Sequence, residues 1–147
     1  MRIRLIAGLL FAGACAAARD TTGPGDAIHD SEFVNGNVRL HLSDFPTAGG
    51  VMFVAPAVTG GVGGFAVTST QYGSLCALAV TGRSETQGSA IALHITFRDT
   101  NATCGDDFRA LNYDAFVSQP PGTYSVTVIH EFGGMVHTMR VATVTVQ

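Results

Sequence analysis

His130, Glu131 and His137 are the residues of this chain whose types and spacing come closest to coordination chemistry. The two histidines flank Gly133-Gly134, and a turn there would set them about equally far from the tip of a hairpin, facing each other. Two imidazoles with a neighbouring carboxylate make a donor set for Zn or Cu. There is no H-E-x-x-H and no third spaced ligand, so a solvated hairpin tip competes with a metal centre. A second candidate is the acidic loop holding Asp99, Asn101, Asp106 and Asp107, whose opening D-x-N-x-T echoes a calcium loop. Its glycine is displaced by one position, and Ala110 stands where a bidentate Glu would be. The competing role for these residues is to cap turns around a disulfide.

The chain lacks a G-x-S-x-G elbow, a P-loop and a dinucleotide fingerprint, and Cys76 and Cys104 are too far apart for a C-x-x-C redox pair. The expectation is a protein that is not an enzyme and has no cofactor. Nucleic acid is excluded as a partner on charge. Lysine is absent, Arg19, Arg39, Arg83, Arg98, Arg109 and Arg140 are scattered singly, and the formal net charge is −3. Sugar or peptide binding would need exposed aromatic faces. Tryptophan is missing, which leaves Phe45, Tyr72, Phe108, Tyr113 and Phe132, and that alternative predicts Tyr72, Phe108 and Tyr113 on the surface.

The elements that must position these residues read as short strands. Val38–Leu42 and Ala90–Phe97 alternate apolar and polar residues, and Tyr124–Val128 and Val144–Val146 repeat the pattern. Further strands are expected at Val51–Val54, Phe65–Thr70, Leu75–Thr81 and Tyr113–Ser118, and His41 and His94 fall on polar strand faces. No segment holds a 3.6-residue period long enough for a helix. The expected fold is all-β, an antiparallel two-sheet sandwich of about seven or eight strands. No charge occurs between Asp44 and Arg83. That span reads as two buried strands joined by a glycine loop, with an exposed loop touching a partner or a membrane surface as the alternative.

At the N-terminus, Arg2 and Arg4 precede an apolar run from Leu5 to Phe11, then Ala12-Gly13-Ala14 and Cys15. This is the build of a secretory signal, and the run is too short for the roughly 20 residues that cross a bilayer. It resembles a bacterial lipoprotein signal peptide. The resemblance implies acylation of Cys15, a membrane as partner and, because Ala16 is not acidic, sorting to the outer membrane. Ordinary cleavage after Ala14 or Ala18 and a secreted soluble product is the alternative. The Pro120-Pro121-Gly122-Thr123-Tyr124 turn and strand resemble late strands of bacterial immunoglobulin-like domains, which implies a fold class and no ligand.

Residues 1–14 are thus expected to be a signal peptide. Residues 15–34, with Gly-Pro-Gly and a solvated His29, are expected to be the acylated cysteine and a tether, and 35–147 the domain. Three cysteines leave one over in an exported protein. Lipidation or loss of Cys15 leaves Cys76 and Cys104 to pair. The function expected is that of a non-catalytic envelope lipoprotein, a binding or structural module for a protein or glycan ligand.

Overall fold

A computed structural model describes residues 29–47, 53–104 and 108–147. They form nine strands: β1 (His29–Asn35), β2 (Val38–Pro46), β3 (Val54–Gly61), β4 (Gly64–Tyr72), β5 (Leu78–Gln87), β6 (Ala90–Asp99), β7 (Arg109–Ser118), β8 (Gly122–Phe132) and β9 (Met135–Val146). Sheet order is β1-β2-β7-β4-β3 against β5-β6-β8-β9, and no helix occurs among the described residues. The chain is a β-sandwich, as the alternation implied. Val38, Leu40 and Leu42 turn inward from β2, while Ile91, Leu93, Ile95 and Phe97 turn inward from β6. These meet Phe65, Val67, Leu111, Val117, Val126 and Val128 in one core. Strand periodicity alone puts such residues on one face.

Three features depart from the sequence expectation. There are nine strands because β1 lies in the segment read as tether, so the sheet begins at His29 and not at residue 35. Its residues show no alternation, since β1 is a mostly exposed edge strand that pairs with β2 from His29↔Asp44 to Asn35↔Val38. Second, β6 and β8 run parallel, the one exception to antiparallel pairing among the described strands. Third, the charge-free span holds β3, which starts at Val54 where the sequence reading ended a strand. Edge strand β3 lies against β9 so closely at Gly60 that a Cβ there would sit 2.1 Å from the Thr145 carbonyl oxygen. Gly63 N–H donates to Gln147 O and Gln147 N–H to Gly61 O, which stitches β3 to β9 at this end.

At the opposite end no backbone hydrogen bond joins the two strands among the described residues. That end carries the Cys76–Cys104 disulfide, which bridges the segments flanking the open side of the β5–β6 hairpin. Beside it lies buried Asp44. Its carboxylate accepts from Arg109 Nη2 at 3.0 Å, Ser74 Oγ at 2.9 Å, Leu75 N–H at 2.6 Å and His29 Nδ1 at 2.8 Å. Burial pushes the Asp44 carboxyl up, but these four hydrogen bonds outweigh it and hold the group below its ordinary value. His29 is therefore a strand residue bonded to a buried carboxylate, not a merely solvated one.

Candidate functional site

Alternation along β4 turns Ser69 and Gln71 into the sandwich interior, and the register sets Tyr113 of β7 directly opposite Ser69. All three are buried, as is His130 from the facing sheet. The Tyr113 hydroxyl and His130 Nε2 are 2.7 Å apart. Ser69 Oγ donates to Val54 O at 2.7 Å. A polar seam thus crosses the core, enclosed by aromatic rings: Phe97, Tyr113 and Phe132 each stand edge-on to the His130 imidazole, with centroids 5.3, 5.6 and 6.1 Å away.

Burial raises the Tyr113 phenol far above its ordinary range, only partly offset by a hydrogen bond with Ser69, so it stays protonated. Burial also pushes the His130 imidazole down to about 4, and the neighbouring charge of His137 adds to the effect. His130 is neutral at pH 7, one nitrogen carrying hydrogen and the other a lone pair.

Two atoms of this seam are left open. His130 Nδ1 and Gln71 Nε2 are buried and have no hydrogen-bond partner among the described residues. Both residues line a cleft of about 540 Å³ between β4 and the β8–β9 hairpin, at the end where no backbone hydrogen bond joins β3 to β9 among the described residues. The other walls are mostly apolar or soft: Phe53, Tyr72, Phe132, Met135 and Met139, with His137. His137 pairs directly with His130 in the β8–β9 register, so the two histidines do face each other across the hairpin.

Glu131 does not join them. Adjacent residues of a strand point to opposite faces, and Glu131 lies on the outer face of its sheet. There its carboxylate accepts from His94 Nδ1 at 2.6 Å, Thr96 Oγ1 at 2.8 Å and Arg83 Nη2 at 3.1 Å, and Arg83 also pairs with Glu85. The hydrogen bonds from His94 and then Thr96 hold the Glu131 carboxyl below its ordinary value. The His130/Glu131/His137 metal set is therefore corrected. No group of three His, Cys, Asp or Glu side chains able to hold a metal occurs among the described residues.

Of the calcium candidates, Asp99 accepts the Asn101 N–H at 2.7 Å, and Asn101 takes a left-handed backbone with φ of 56°. This is the local hydrogen bonding of a turn. Asp106 and Asp107 lie outside the described residues, as does Cys15. Tyr113 is buried in the core and is lost to any surface aromatic platform, whereas Tyr72 and Phe108 are exposed, 6.2 Å apart.

Sequence reasoning missed Gln71, Tyr113 as a polar-core residue, and the two methionines. A period of two along Met135-Val136-His137-Thr138-Met139 was the available signal. No family model, curated protein or solved structure matches the chain.

Proposed function

We propose that the protein is a non-catalytic binding module of the cell envelope, anchored by a lipid on Cys15, with the Gln71–His130 cleft as its ligand site. The observation that carries this reading is that two residues lining one largely apolar cleft, His130 and Gln71, each hold a buried polar atom, Nδ1 and Nε2, with no partner among the described residues. Nearly all buried polar atoms find a partner in folded proteins. Two that lack one, in residues that line the same cavity of ligand size, are what a bound molecule would complete. Export is supported by the Cys76–Cys104 disulfide, a bond that persists in oxidising compartments. With that pair joined, Cys15 is the odd thiol.

The test is binding of 1-anilinonaphthalene-8-sulfonate to the folded full chain, followed by fluorescence and by NMR of the methionine methyl groups. Enhanced emission with shifts confined to Met135 and Met139 is expected, both being lost when Met139→Trp fills the cleft. Unchanged dye binding in that variant would falsify the assignment of the cleft. Intact mass of membrane-extracted protein checks the anchor: a diacylglyceryl or triacyl increment on Cys15 is expected, and an unmodified N-terminus at Arg19 overturns it.

A second reading is favoured by one observation, the exposed Tyr72–Phe108 pair at the same end. Aromatic faces of that kind bind sugars or peptides. An oligosaccharide panel that shifts the ring resonances of Tyr72 and Phe108 while leaving the methionines still would select it.

A further inference from the structure

The cleft has an unusual chemistry for a small-molecule pocket: two imidazoles and two thioethers, with no carboxylate on its walls. We propose that His130, His137, Met135 and Met139 form a binding site for Cu(I). This deepens the reading of the cleft as a ligand site and rests on it.

Strand geometry brings the four together. His130 and His137 are direct cross-strand partners, which sets their Cβ atoms about 5 Å apart. Met135 precedes His137 by two residues and so shares its face. Met139 follows His137 by two residues and shares the same face, and a bulge begins there. Thr138 pairs with Ile129 and Arg140 with Val128, so Met139 is the extra residue of β9. Met139 is half-buried on the cleft wall, which Thr138 also lines, while Arg140 on its other side is exposed and not part of the lining. Both thioethers ride on chains with three rotatable bonds, long enough to close over an ion held between the imidazoles.

The donor types select the ion. Thioether and imidazole are soft to intermediate ligands that suit Cu(I), whereas Ca²⁺ and Mg²⁺ need oxygen, and structural Zn sites are built largely with thiolate or carboxylate. All four donors are uncharged when His130 and His137 are neutral. A monovalent ion therefore enters this apolar cleft with a smaller desolvation cost than a dication lacking any counter-charge. The second shell is in place as well. With Nδ1 on the metal, His130 carries its proton on Nε2 and donates it to the Tyr113 oxygen 2.7 Å away, fixing the ring and its tautomer. The Nδ1 that must hold the ion is the buried atom with no partner among the described residues.

The experiment is anaerobic titration of the full chain against the Cu(I)–bicinchoninate complex, read by loss of the chelate colour. One equivalent of Cu(I) should be withdrawn. Met135→Leu and Met139→Leu, which keep volume and fold, should each weaken binding by about tenfold and together by about a hundredfold. Tyr113→Phe should weaken it by about tenfold while the stoichiometry stays at one, as expected of a positioning residue. Ag(I), the NMR-silent analogue, should shift both methionine methyl groups and the His137 ring. Failure to withdraw Cu(I), or equal affinity in the double leucine variant, overturns the proposal. If the anilinonaphthalene probe still binds the cleft in that case, only the copper assignment falls. If both fail, the cleft itself is not a ligand site.

Discussion

Asp44 and His130 are both fully buried titratable residues, and their surroundings differ in one respect. Asp44 has every lone pair engaged by Arg109, Ser74, Leu75 and His29, and it ties β1, β2, β7 and the segment after β4 into one end of the sandwich. His130 has one nitrogen bonded to Tyr113, and the other is buried with no partner among the described residues, in a residue that lines a cleft. A buried polar group whose valences are all met stabilises a fold. One that is held rigidly on one side and left open on the other has the form of a binding group waiting for its partner. The outer-face cluster of Arg83, His94, Thr96 and Glu131 belongs with Asp44 in this respect, because its members satisfy one another.

That contrast can be broken by substitution, and the largest effect is expected at the satisfied site. Asp44→Ala takes a buried carboxylate from Arg109 and from the Leu75 N–H, and should cost about 3–5 kcal/mol in urea unfolding. A loss below about 1 kcal/mol would show that Asp44 is not the structural group described.

Next comes pH, applied to the metal-free protein. The folded His130 pKa of about 4 lies below its unfolded value of 6.5. The unfolded chain therefore takes up the proton first as pH falls. Stability from this group is complete above about 6.5 and declines down to about 4, by roughly 3 kcal/mol. Asp44 acts lower still, since its folded pKa is depressed below 3.8, and its contribution is lost only as acid reaches that range. Unfolding midpoints between pH 7 and 4.5 should thus slope in the wild type and flatten in His130→Phe. Equal slopes in the two proteins would remove the buried neutral imidazole from the account.

Tyr113→Phe leaves His130 Nε2 without its partner and should cost about 1–3 kcal/mol. Gln71→Leu points the other way. It replaces a buried amide whose nitrogen has no partner among the described residues, and a gain of about 1 kcal/mol in stability is expected together with altered probe binding in the cleft. A destabilised leucine variant would mean that the amide has a partner after all. The smallest effect is expected on the outer face. Arg83→Ala removes a half-exposed cation from a carboxylate that keeps two other donors, and should cost about 0.5 kcal/mol or less.

How much of this was legible follows from the same period of two. Val38–Leu42 and Ala90–Phe97 alternate cleanly because one face meets the core and the other water, and both segments became strands with the predicted faces. His29–Asn35 gave no such signal, since an edge strand with most side chains in solvent has no apolar face to advertise. The parallel pairing of β6 with β8 was equally hidden, because it depends on which strands become neighbours and not on any one strand's pattern.

The site was half legible. A hairpin at Gly133-Gly134 correctly set His130 against His137. The same alternation places Glu131 on the far face and Met135 on the near one, yet the carboxylate draws attention in a search for ligands and the thioether does not. Gln71 and Tyr113 lie far from the hairpin in sequence and join the site only through the packing of one sheet on the other.

The antiparallel start of β1 has a directional consequence. His29 pairs with Asp44, so the chain enters the sandwich at the end that holds the cleft, not at the stitched end near Gly60. Only fourteen peptide steps separate Cys15 from His29, and fully extended they reach about 50 Å. An acylated Cys15 would therefore leash the module by its mouth. On so short a leash the cleft would stay within reach of the lipid surface.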